Sequence, residues 1–114
     1  DEFVTVDMGC IGKDLAGNEF NVSICAKDSG GPYSYELTSK LISLAKENHI
    51  GYVVDIFPFY GSDIGAAWRS GVDCAGALIG PGVHASHGME RTHLDAIENT
   101  MKLLFLYLTT KGEA

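Results

Sequence analysis

The chain has 114 residues and carries 15 Asp and Glu against 8 Lys and Arg, a formal net charge of −7. That length holds one domain at most, since domains usually run to about 100–150 residues, and 46% hydrophobic residues exclude the composition of a disordered tail. No apolar run approaches the ~18 residues that span a bilayer, and the acidic balance is the opposite of a nucleic-acid backbone binder's basic face, so neither a membrane nor a nucleic acid is expected as a partner.

The chain opens Asp1-Glu2-Phe3-Val4, without an initiator Met, and reads as a processed or excised piece of something longer. Phe3-Val4-Thr5-Val6 is β-branched and apolar, and Asp7 and Gly9 close it, which predicts a short buried strand with Asp7 at its carboxyl end. After the turn Gly17-Asn18, Phe20, Val22, Ile24 and Ala26 alternate with Asn21, Ser23 and Cys25 as in a half-buried strand. Ser29-Gly30-Gly31-Pro32 breaks the pattern. Ser34 can then cap a helix in which Leu37, Leu41, Leu44 and Ala45 recur at the helical period. Ile50 to Phe57 reads as a further strand, and Pro58 and Tyr60-Gly61-Ser62-Asp63 end it. A short helix with Ala66, Ala67 and Trp68 follows and stops at Gly71. Cys74 to Ile79 predicts a strand buried on both faces, running into a loop rich in Gly and His from Gly80 to Gly88. Thr92 and Asp95 have the form of a capping box before a last helix, whose Leu94, Ile97, Met101, Leu104 and Leu108 recur at spacings of three and four. Strands alternating with helices give an α/β class with a mainly parallel sheet and flanking helices.

Cys10, Cys25 and Cys74 cannot all pair, and their spacing fits no zinc finger or redox motif, so a reduced, cytoplasmic setting with cysteines acting as small buried apolar groups is the simplest account. Ligands of open α/β sheets bind outside the carboxyl ends of the strands. Three polar groups fall there: Asp7, the pair Ser62-Asp63, and His84 with His87. Imidazole and carboxylate together suit zinc, cobalt or manganese. The competing roles are structural: Asp63 can serve as a helix cap, and for the three-residue repeat His84, His87, Glu90, His93, the residues Pro81, Gly82 and Gly88 argue for irregular backbone over a ligand stripe. The phosphate-loop and serine-elbow motifs are absent.

Tyr60-Gly61-Ser62-Asp63-Ile64-Gly65-Ala66-Ala67, then Arg69-Ser70-Gly71-Val72, then Ala77-Leu78-Ile79-Gly80 followed by Ser86-His87, resembles the carboxyl-terminal part of the dinuclear metallo-aminopeptidases, which include the glutamyl and the tetrahedral TET aminopeptidases. The resemblance covers nearly the whole chain, residues 1–114 then being the carboxyl-terminal portion of a partial α/β/α catalytic domain. It implies two divalent metal ions, zinc or cobalt, a peptide substrate, a homo-oligomeric parent, and hydrolysis of amino-terminal residues by a water activated between two metals. Asp7 matches the family's late Asp ligand, and His87, eight residues after Ile79, its final His ligand. Ser62, Asp63 and His84 are candidate substrate-binding residues. No Glu-Glu pair occurs in the chain, so the general base of the family has no counterpart here, and His87-Gly88-Met89-Glu90-Arg91 departs from the family's His-Ser-Pro-x-Glu. The chain alone is expected to be inactive. Two alternatives compete: a non-catalytic α/β binding or assembly module, and a related metallo-hydrolase such as a deacylase or carboxypeptidase.

Overall fold

The computed structural model describes residues 1–85 and 88–110. Its elements run β1 (Glu2–Val6), β2 (Gly9–Cys10), β3 (Val22–Asp28), β4 (Gly31–Pro32), α1 (Tyr35–Glu47), β5 (Tyr52–Phe57), α2 (Asp63–Arg69), β6 (Ala75–Val83) and α3 (Leu94–Thr109). The six strands form one sheet, in which β1 and β2 pair with one side of β6, and β3 pairs with its other side. β5 and β4 both pair with β3. The ladders β1–β6, β2–β6 and β3–β5 are parallel, whereas β3–β6 and β3–β4 are antiparallel. The α/β class therefore holds with a mixed sheet.

Side chains of a strand alternate between faces, and here the alternation divides two cores. Val22, Ile24, Ala77 and Ile79 turn to one face, where Leu37, Leu41 and Leu44 of α1 and Leu103 of α3 cover them. Cys25, Leu78 and Phe57 turn to the other, against Ile64 of α2, Cys10 and Tyr33. β3 is thus buried on both faces over Val22–Cys25, not half-buried as its alternation suggested. Small Ser23 and Cys25 occupy the positions that looked polar and solvent-facing, and they fit under a second layer.

Local signals set the helices. The Ser34 hydroxyl accepts a hydrogen bond from the Leu37 amide at 3.2 Å and starts α1. At its end, His49 adopts a left-handed φ of 55°, and the Ile50 amide donates to the Ala45 carbonyl at 2.9 Å, which closes the helix and turns Ile50 into the core. Gly71, at φ 91°, ends α2 in the same way, with the Val72 amide donating to the Ala67 carbonyl.

Three expectations about the last third of the chain are corrected. β6 continues past Ile79 through Gly80 and Pro81 to Val83. Pro81 is tolerated because β1 pairs only as far as Ile79 and β2 resumes at Gly82, leaving no partner on that side to need its missing N–H. The capping box at Thr92 does not form: His93 is the N-cap, its Nδ1 accepting from the Asp95 amide at 3.0 Å, while Thr92 Oγ1 donates to the Gly82 carbonyl. Moreover, Leu94, Met101 and Leu108 lie on the outer side of α3, 71%, 65% and 70% exposed. The inward residues are Ala96, Thr100 and Leu103, whose two small members let the helix sit close to the sheet.

Candidate functional site

Asp7 stands where β1 leaves β6. Its amide donates to the Ile79 carbonyl at 3.0 Å, prolonging the ladder by one residue, and the chain then steps aside before Gly9–Cys10 rejoin β6 at Gly82–Val83. That step is possible because residue 80 is glycine: a Cβ there would overlap the Asp7 carbonyl oxygen. The Asp7 carboxylate is exposed, with Oδ1 accepting from the Met8 amide at 2.7 Å. It borders a cleft of about 30 Å³, whose walls include Met8, Cys10, Asp28, Tyr60 and Gly61.

Beside that cleft lies a hydrogen-bonded group around Asp28, a residue that sequence reading did not single out. Asp28, at the end of β3, is 4% exposed. Its Oδ1 accepts from the Gly30 amide at 2.8 Å, and its Oδ2 accepts from the Tyr33 hydroxyl. The same hydroxyl lies 2.8 Å from Ser62 Oγ. Burial, then the Asp28 carboxylate, pushes the Tyr33 hydroxyl well above its ordinary range, so it stays protonated and serves as a donor. The amide of Ser29 donates to the Tyr60 carbonyl at 2.8 Å, fastening the β3–β4 turn to the loop before α2. Ser62 is therefore tied through Tyr33 to Asp28, which lines the cleft. Burial raises the thiols of Cys10 and Cys25, the latter to about 12, so both remain neutral and apolar. All three cysteines are free.

The other candidate residues sit apart from one another. Asp63 is the exposed first residue of α2; Ser62 holds the N-cap position, without a side-chain cap bond, so the expected capping role of Asp63 is not taken. His84 lies one residue beyond Val83, pairs its backbone with Arg91 and does not border the Asp7 cleft. Its electrostatic neighbour is Glu19, which accepts a 2.6 Å hydrogen bond from Arg91 and is held below the usual carboxylate range mainly by that bond. His93 stacks on Phe20 with ring centroids 4.9 Å apart. Arg91 and His93 thus hold the β6–α3 connection to the 19–20 segment. His87 lies outside the described residues.

The model of the M42 glutamyl aminopeptidase family matches residues 1–103. The chain belongs to this family. It is 51% identical over 107 residues to YhfE of Bacillus subtilis (strain 168), whose name places it among the aminopeptidases, covering 94% of this chain and 31% of that protein. Among solved structures, the TET1 dodecamer PhTET1-12s superposes with a TM-score of 0.83 at 20% identity, over 94% of this chain and 33% of its own. An aminopeptidase from the archaeon Desulfurococcus kamchatkensis does so with a TM-score of 0.82 at 16% identity, over 95% of this chain and 34% of its own. The chain thus spans about a third of the length of these M42 and TET relatives and shares their fold.

The M42 family is metal-dependent in general. Asp7 fits such a role as one donor: its carboxylate is accessible, one oxygen is engaged by a neighbouring amide, and it stands at a strand end beside a cleft. Among the described residues, no group of three or more His, Cys, Asp or Glu could hold a metal ion, so these residues alone do not complete a coordination sphere. No helix among them is long and apolar enough to cross a membrane.

Proposed function

We propose that this chain is part of a metal-dependent aminopeptidase that removes amino-terminal residues from peptides, and that Asp7 and His87 each contribute one ligand to a pair of divalent ions, zinc or cobalt. The observation that carries the reading is the placement of Asp7 in a chain of this family: a carboxylate at a strand's end, its backbone locked against Gly80, with one side-chain oxygen left open beside the cleft. Bound metal would supply Lewis-acid polarisation of the scissile carbonyl and acidify the attacking water. The chain's own share is positional. Gly80 fixes the Asp7 backbone, and the Met8 amide orients the carboxylate. Tyr33 and Asp28 hold Ser62 and the 60–62 loop against the cleft, where Ser62 and Asp63 would meet the substrate. His84, in its Glu19–Arg91 surroundings, would act on substrate only beyond this cleft. A homo-oligomeric, cytoplasmic parent completes the proposal; two of the structures sharing the fold are a dodecamer and a TET1 peptidase that assembles into a tetrahedron or an octahedral shell.

A site with two ligands and no general base does not turn over. The 114-residue chain, purified and supplied with zinc or cobalt, is expected to leave aminoacyl-p-nitroanilides uncleaved. Turnover that persists through repurification and disappears in His87→Ala would contradict this division of the site.

A further inference from the structure

A second concavity adjoins the Asp7 cleft. It is a groove of about 360 Å³ between the loop before β3 and the β5–α2 connection. Phe57 and Tyr60 line both the groove and the cleft, so the two are neighbours that share these side chains. The groove's floor and sides are apolar: Leu15, Ile56, Phe57, Pro58 and Phe59. Ile56 and Phe59, 52% and 88% exposed, open the groove to solvent at its mouth.

The groove is also held in shape. Asp55 on β5 is 7% exposed, and its two carboxylate oxygens accept from the amides of Ala16 and Gly17 at 2.8 and 2.7 Å. A buried carboxylate that takes two backbone N–H groups is a strong tether. It ties the 13–15 wall to the same strand that supplies Ile56 and Phe57. Asp14 takes a left-handed φ of 67° within that wall. The only charges on the lining are Lys13 and Asp14, adjacent and of opposite sign.

We infer that this groove receives an apolar side chain, aliphatic or aromatic, of the peptide whose scissile bond lies at Asp7. The inference rests on the aminopeptidase reading and deepens it. Size and chemistry both select the occupant: the volume falls within the range of small-molecule sites, and an acidic side chain would lose hydration against apolar walls with no net positive charge to offset the loss. A preference of this kind departs from the glutamyl description of the family.

The test uses the full-length, metal-loaded enzyme that carries these residues and compares kcat/KM for Leu-, Phe-, Ala- and Glu-p-nitroanilide. Leu or Phe is expected to exceed both Ala and Glu by at least about tenfold, the scale on which apolar pockets discriminate. In Phe59→Ala and Ile56→Ala, both changes at exposed positions, the ratio of Leu to Ala is expected to fall about fivefold or more. Glu as the best substrate, or an unchanged ratio in both variants, overturns the inference while leaving the aminopeptidase reading intact. A uniform loss across all four substrates assigns the groove a structural role and also overturns it. No turnover of any substrate by the full-length enzyme overturns the aminopeptidase reading, and this inference with it.

Discussion

Asp7 is held by its backbone, and the residue that permits this is seventy-three positions away in the chain. Gly80 lies directly under the Asp7 carbonyl, so any side chain at 80 forces β1 and β6 apart just where the candidate ligand emerges. Overpacking of backbone against backbone cannot be relieved by a rotamer change. Gly80→Ala is expected to destabilise the 114-residue chain by about 3 kcal/mol or more, read from urea unfolding. Gly12 gives the contrast, because a Cβ there would meet only Leu15 Cδ1 at 3.8 Å; Gly12→Ala should stay within about 1 kcal/mol of the parent. Equal losses in the two variants would mean that the close approach at Asp7 does not govern stability. The strand-end position of Asp7 was legible from the apolar β-branched run before it. Asp28 and Asp55 were not, because what distinguishes them is burial with partners: Asp55 binds amides 39 and 38 residues away, and no local pattern records that.

Among the elements, legibility followed the source of each element's stability. α1 was readable in full, since its cap, its apolar period and its termination are all local. β2 and β4, of two residues each, exist only through their pairing with β6 and β3, and carry no period to detect. The antiparallel pairing of β3 with β6 is likewise a long-range fact. α3 was found as a helix, but of its periodic residues only Leu104 packs against the core, because the helix is apolar on several sides and the sheet selects the side with small residues, Ala96 and Thr100. That orientation has a direct check. Leu103→Ala removes a fully buried side chain and should cost about 2–5 kcal/mol. Met101→Glu, at a position 65% exposed, should shift the stability of the 114-residue chain by under about 1 kcal/mol. A larger loss from Met101→Glu than from Leu103→Ala would place the inward face of α3 on the other side.

At the scale of the whole molecule, two cores pack on the two faces of one mixed sheet, and the cleft with Asp7 opens on the face covered by α2. The chain spans about a third of the length of its M42 relatives, and the described residues bring one candidate ligand, not a set, to that cleft. The fold positions a strand-end carboxylate, and the chemistry proposed for it needs further donors beyond those of the described residues. The division assigned to Asp7 and His87 is therefore best measured as metal content in the full-length enzyme, by elemental analysis of zinc and cobalt per subunit in the parent, Asp7→Ala and His87→Ala. The account predicts about two ions per subunit in the parent, falling to about one or fewer in each variant, with peptidase turnover lost alongside. Unchanged metal content in both variants would contradict it.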